Sequence, residues 1–380
     1  MSSPTPRDAE RLQLIVVGQL PPPHHGSNVM TGVLIDTLET LGMSVELVRK
    51  DFSRSVQEVG RASPLKAVKA LGLFARLARA LRARHADVVI LFATNRPASF
   101  VVDYVLVRIT RWLRAPVVLY MHTDGFRSLA RRGRVWSRLV RGMLRRADTI
   151  VCLSATLEDD VRPWVSGHVV RSIPNATAAP PVSLASPSPR ERPTVLYLSN
   201  LIPEKGADEF VRIAVELLNS GVDADFPIVG ATADQEFSDT LRSEIDRSGY
   251  SKRIKLLGPL YGHKKWETLA TADLLLFPST YRYEAQPMVI IEAFSVGVPV
   301  AAYSIGGIGD LVTDDRDGVV APRGTRDQLR DGVRRVIEDH QVRERMSRAA
   351  WATYREHHSL HAYSDAWSDA LAPFHKKGAP

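Results

Sequence analysis

The chain of 380 residues has a single cysteine, Cys152. An internal disulfide is therefore excluded, as is a metal cluster built from thiolates. Cys152 lies in the apolar run Thr149–Leu153 and reads as a small buried hydrophobe. Aromatic residues are sparse, at 7%. No recognition motif or aromatic interleaving accompanies the basic residues, so a nucleic-acid partner is not expected. No apolar run approaches the roughly 20 residues that cross a bilayer. Residues 1–11 are polar and read as disordered, and the first apolar run, Leu12–Val17, is too short for a secretory leader. The expected location is cytoplasmic, either free or peripheral on the inner membrane face. Neither a G-x-G-x-x-G nor a Walker pattern occurs. Acid is missing locally: Gly125 to Ala147 contains no Asp or Glu.

What is present is ordinary in amount but uneven in placement. Hydrophobic residues make up 44% and charged residues 24%, as in soluble globular proteins. The length exceeds what one core usually serves, so two domains are expected. The net charge of +8 hides an asymmetry: residues 1–176 hold 26 Lys+Arg and 14 Asp+Glu, the remainder 24 and 28. A basic first half suits an anionic partner. Strand-like apolar runs alternate with helical patterns twice, which predicts doubly wound parallel sheets. Between the alternations, Thr177–Pro193 is rich in proline and serine and reads as a linker. In the first half, the run after Leu12–Val17 ends in His25-Gly26-Ser27-Asn28, with Ser27 or Asn28 as a helix cap; by itself this is equally an ordinary strand–helix turn.

The most informative stretch is Tyr283 to Val300. Glu284 and Glu292 are eight positions apart, after the strand-like run Asp273–Pro278 and before Val298–Tyr303. Pro287 suits the first helical position, and Gly297 the position just past the helix end. Glu284 then lies in a loop at the carboxyl end of a strand, where parallel sheets bind ligands. Glu292 lies near a positive helix end. Carboxylates there can accept hydrogen bonds from sugar hydroxyls; two surface acids with no ligand would give the same spacing.

Taken together, Glu284 to Glu292, Gly297-Val298-Pro299-Val300, Gly306-Gly307, Glu204-Lys205-Gly206 and Ile173-Pro174-Asn175 resemble the GT-B retaining glycosyltransferases of family 4. The resemblance covers the second half well and the first half loosely. It implies an α/β fold of two Rossmann-like, doubly wound parallel-sheet domains facing across a cleft: an acceptor-binding domain over 1–176, the linker 177–193, a nucleotide-sugar donor domain over 194–355, and a C-terminal helical segment, 356–380, crossing back to the first domain. It implies that Glu284 contacts the donor sugar and Glu292 the ribose, and that Lys205 grips the diphosphate. Where the family has an arginine, this chain has Asn200, which adds no charge. The missing charge then falls to Lys205, to backbone amides near Gln286, Pro287 and Met288, or to Arg282. Gly26 and Ser27 match the loop near the phosphates, Gly307 the Gly-Gly loop, and His122 a histidine near the reacting carbon. No cofactor or metal is expected beyond the nucleotide sugar.

Arg127, Arg131, Arg134, Arg138, Arg141 and Arg145 recur at helical spacing and form one stripe on a single expected helix. Pro64–Arg84 repeats the pattern with Lys69, Arg76, Arg79 and Arg82. Either these are solvated faces or they dock on an anionic membrane that carries a lipid-linked glycan acceptor. The competing functions are a glycosyltransferase with a small-molecule acceptor, a nucleotide-sugar epimerase, for which no acid–base partners are found, and a non-catalytic membrane-binding scaffold.

Overall fold

The computed structural model describes residues 11–21, 26–50, 64–84, 86–165, 169–181, 192–232, 234–281 and 283–375. The expected disorder of the first ten residues, His25, most of the expected linker and Arg282 lie outside them. The chain divides into two compact units, residues 1–176 with 360–380, and residues 177–359.

The first unit runs β1 (Gln13–Gly18), α1 (Gly26–Thr40), β2 (Ser44–Arg49), α2 (Pro64–Arg84), β3 (Val88–Ala93), α3 (Pro97–Trp112), β4 (Val117–Met121), α4 (Phe126–Ala130), α5 (Arg134–Leu144), β5 (Thr149–Cys152), α6 (Ala155–Val161) and β6 (Val169–Ser172). The strands are parallel, in the order β2-β1-β3-β4-β5-β6. All six residues of β3 are buried, because helices cover both faces of such a sheet.

The second unit runs β7 (Val195–Leu198), α7 (Ala207–Asn219), β8 (Phe226–Val229), α8 (Gln235–Ser248), β9 (Ile254–Gly258), α9 (Gly262–Ala270), β10 (Leu274–Phe277), α10 (Met288–Ser295), β11 (Val300–Ser304), α11 (Ile308–Leu311), β12 (Gly318–Pro322), α12 (Arg326–Glu338) and α13 (His340–Thr353). Its parallel order is β12-β11-β10-β7-β8-β9. Along β10, Leu274 and Leu276 pack into one core and Leu275 and Phe277 into another. That alternation is the period of a strand buried on both faces.

A π-helical turn, Tyr354–His358, follows α13 and still belongs to the second unit. There Thr177 N–H donates to the His358 carbonyl at 3.1 Å, and Tyr354 Oη donates to the Thr177 carbonyl at 3.2 Å. The last helix, α14 (Leu360–Leu371), lies in the first unit, where Tyr363 and Trp367 are buried. The Trp367 ring meets Tyr120 edge-on at 5.1 Å, and the Tyr120 and Tyr363 hydroxyls are 3.3 Å apart.

Two sequence expectations need correction. The arginine stripe is not on one helix. Gly133 adopts φ 147°, ψ 172°, outside the helical region, and separates α4 from α5. Its freedom from a Cβ permits that break. Pro287 is not the first helical residue but the residue before it, with φ −63° and an extended ψ of 122°. The far end of α10 is as expected: Gly297 has φ 72°, its N–H reaches the Phe294 carbonyl, and the Val298 N–H reaches that of Ala293, a Schellman closure.

Candidate functional site

In the second unit, strand order reverses between β7 and β10: the chain runs outward through β8 and β9, then returns to the other side of β7. A crevice outside the strand carboxyl ends at such a reversal is the usual ligand position. The two loops that leave it are laced together. Thr280 N–H donates to the Glu204 carbonyl at 2.8 Å. Gly206, at φ 81°, lies so close that a Cβ would come within 2.2 Å of the Pro278 carbonyl oxygen. Glycine is the residue that meets both demands.

This lacing brings Lys205 to Glu284, and their side chains form an ion pair. Glu284 is buried, and Ser279 Oγ donates to its Oε1 at 2.9 Å. The Lys205 ammonium also lies 4.9 Å from the Tyr281 ring centroid, a favourable cation–π position. On the other side, Gly307 N–H donates to the Glu284 carbonyl at 3.0 Å, and a Cβ on Gly306 would meet that oxygen at 1.9 Å. Glu284 is thus fixed by side chain and backbone. Gln286 and Pro287 are buried and Met288 is half-buried at the amino end of α10, whose free N–H groups and dipole favour an anion. On the fifth residue of α10, Glu292 accepts from Lys265 Nζ at 2.6 Å. Asn200 is exposed on the β7–α7 loop.

The first unit holds a second set of loop residues. Its strand order reverses between β1 and β3. Gly26 and Ser27 open α1 beside that reversal, and the Ser27 carbonyl accepts from Thr31 Oγ1 at 3.0 Å. At the end of β3, Thr94 donates its N–H and its hydroxyl to Asp103, at 3.0 and 2.7 Å. Asp103 is fully buried on α3 and paired with Lys50. Burial raises its carboxyl against the opposing pull of Lys50 and Thr94.

His122 follows β4. Its ring stacks on Phe92 at 4.9 Å and meets Tyr120 edge-on at 4.2 Å. Its Nε2 is shielded from solvent and has no partner among the described residues. Burial lowers its pKa to about 3, so at neutral pH it is an uncharged donor and acceptor, not a cation. The next turn is held from outside: the Asp160 carboxylate accepts from the N–H groups of Gly125, Phe126 and Arg127 at 2.6–2.9 Å. That carboxylate occupies the start of α4. Burial also pushes the Cys152 thiol up, leaving it inert.

Arg131, Arg134, Arg138, Arg141 and Arg145 are exposed and form no ion pair among the described residues. Arg127 is exposed too, but its guanidinium donates to the Asp159 carbonyl.

The sequence reading did not single out Ser279, Lys265, Asp103 or Asp160. A signal existed for Asp103, a lone carboxylate inside the apolar helix Pro97–Trp112, which requires a buried partner. Lys265 stood in the exposed-looking run His263-Lys264-Lys265, with nothing to mark it.

Two family models match, one to each unit: Glycosyltransferase Family 4 over residues 25–178 and Glycosyl transferases group 1 over residues 184–352. Among curated proteins, the alpha-D-kanosaminyltransferase of Streptomyces kanamyceticus is 30% identical over 46% of this chain and 44% of its own. The 2-deoxystreptamine N-acetyl-D-glucosaminyltransferase of Streptomyces fradiae is 27% identical over 57% of this chain and 55% of its own. The aligned stretches thus span about half of these relatives. Among solved structures, a glycosyltransferase from Rickettsia africae superposes with a TM-score of 0.75 at 16% identity, over 97% of this chain and 100% of the other. HepE from Anabaena, in complex with UDP and glucose, gives 0.68 at 20% identity, over 96% and 100%. These structural likenesses speak for the fold. With one model on each six-stranded unit, the chain belongs to the family 4 glycosyltransferases, in the group 1 class with the GT-B fold.

Proposed function

We propose that the protein is a retaining glycosyltransferase that moves a sugar from a nucleotide-diphosphate sugar to a glycan acceptor. The observation that carries this reading is the Lys205–Glu284 pair, held at the sheet reversal by Gly206, Gly306 and Gly307. Lys205 and the amides at the start of α10 neutralise charge as it builds on the departing diphosphate. Glu284 accepts from hydroxyls of the donor sugar and orients its ring. The acceptor oxygen attacks from the face the diphosphate leaves, and a diphosphate oxygen takes the acceptor's proton. The bond that forms replaces the one that breaks with its stereochemistry kept. A separate pair of catalytic carboxylates is not needed, nor is a divalent ion.

The test is release of nucleoside diphosphate, with and without acceptor, in the presence of EDTA. Acceptor-dependent release that persists in EDTA and falls at least a hundredfold in Glu284→Ala and Lys205→Ala is the expected result. Activity surviving both substitutions overturns the site. No turnover with any donor–acceptor pair favours a binding scaffold.

For the acceptor, we propose a lipid-linked or polysaccharide-precursor glycan met at an anionic membrane on the cytoplasmic side. The support is an outer face made by α2, α3 and α5, which lie side by side. These helices expose Arg79, Arg82, Arg108, Arg134, Arg138 and Arg141, together with Leu71, Trp112 and Val135. Cations around apolar side chains suit an anionic interface. Among the described residues no helix is long and apolar enough to cross a membrane. A second reading, a small-molecule acceptor, is favoured by the names of the Streptomyces relatives. Co-sedimentation with anionic liposomes that is lost on replacing Arg131, Arg134, Arg138 and Arg141 with glutamine supports the membrane; binding unchanged by those replacements sinks it.

A further inference from the structure

Lys265 is a charged residue of the second unit with no role in the reading above. It projects from α9, and its Nζ lies 2.6 Å from Glu292 Oε1 and 5.0 Å from the centroid of the Trp266 ring. Both charged side chains are partly buried, with 25% and 16% of their surface exposed. The ammonium therefore has two attractive partners, a carboxylate and an aromatic ring.

A carboxylate has about four lone-pair sites. With one of them filled by Lys265, Glu292 keeps a site on Oε1 and both on Oε2. Those sites can accept from two neighbouring hydroxyls at once, provided the carboxylate plane does not turn. The Ser295 hydroxyl donates to the Glu292 backbone carbonyl, at 2.7 Å, not to the side chain. Among the described residues Lys265 is thus the group that orients this carboxylate.

We propose that Lys265 is a positioning residue for nucleotide binding: it holds the Glu292 carboxylate in the orientation that accepts the vicinal 2′,3′-hydroxyls of a ribose. This rests on the reading of Glu292 as the ribose acceptor, and it makes selectivity for ribonucleotides over 2′-deoxyribonucleotides depend on a lysine outside the ligand's direct contacts.

The experiment measures calorimetric affinities of the full chain for ribo- and 2′-deoxyribonucleoside diphosphates of uracil, guanine and adenine. It uses wild type, Lys265→Met, Lys265→Arg and Glu292→Gln, each checked to be folded at the assay temperature by a cooperative melting transition above it. In wild type, the ribo form of the preferred base should bind about tenfold tighter than its deoxy form, as expected for one hydrogen bond to a charged group. Lys265→Met should bring that ratio to within about twofold, mainly by weakening the ribo form, and Lys265→Arg should restore part of it. Preference retained in Lys265→Met, or equal weakening of both forms, overturns the role of Lys265 and leaves the donor site standing. Absence of any ribo preference in wild type, or no effect of Glu292→Gln, overturns the ribose reading of Glu292 itself.

Discussion

Lys205 and Glu284 have side chains only 20% and 7% exposed, so each depends on the other for the solvation it has lost. Removing one partner leaves the other charge unpaired, a change that costs about 3–5 kcal/mol in fully buried pairs and less here, because water still reaches Lys205. Lys205→Met and Glu284→Leu should each lower the denaturant midpoint. The double variant should regain most of that loss while remaining inactive, which separates binding chemistry from stability. At Gly306, φ is 53° and a Cβ would stand 1.9 Å from the Glu284 carbonyl oxygen. Gly306→Ala should cost about 1–3 kcal/mol from the dihedral alone and weaken donor binding by shifting Glu284, a loss to be read in KM. His122 gives the pH-dependent prediction. Burial lowers its pKa to about 3 from about 6.5 in an unfolded chain. The folded form therefore binds fewer protons between those values. Its contribution is fully present above about pH 6.5 and is lost as pH falls toward 3. His122→Phe should show a shallower loss of stability over that window in acid-titration melts, and wild-type turnover should show no step from this imidazole near neutral pH.

At the scale of elements, strand positions were legible because fully buried parallel strands are short apolar runs bounded by turn residues. The α10 unit was legible for the same reason, with Pro287 and Gly297 marking its ends to within a residue. The break between α4 and α5 was not: the arginine spacing fits one helix on paper, and a lone glycine inside a helical pattern is usually tolerated. Gly133 takes a conformation that no periodicity reveals. The partner lists of Glu284 and Glu292 were equally hidden, because Ser279 and Lys265 reach them from loops and helices whose meeting depends on strand order. Asp160 is an element-level device: one carboxylate on α6 receives three N–H groups at the start of α4. Asp160→Ala leaves those donors without that acceptor, at a cost of about 1–2 kcal/mol in analogous caps. Amide exchange should accelerate first at Gly125, Phe126 and Arg127, and Asp160→Asn, which keeps an acceptor oxygen, should be milder.

At the scale of the whole molecule, the first unit is discontinuous: residues 1–176 are joined by 360–380 across the whole of 177–359. Its core includes Tyr363 and Trp367 from α14, packed on Tyr120, which itself backs the ring of His122. Burying an aromatic side chain of this size contributes roughly 3–5 kcal/mol when judged by its truncation. A chain ending at Ser359 should therefore lose the calorimetric transition that belongs to the first unit, while the second unit still melts cooperatively. The same discontinuity has a consequence during synthesis. The first unit is made first yet is completed last. At roughly 5–20 residues per second, the ribosome needs on the order of 10–35 seconds to make the intervening segment. Through that interval the surface around Tyr120 lacks the α14 side chains that cover it in the folded unit, so the older half of the polypeptide is the half that buries its core last.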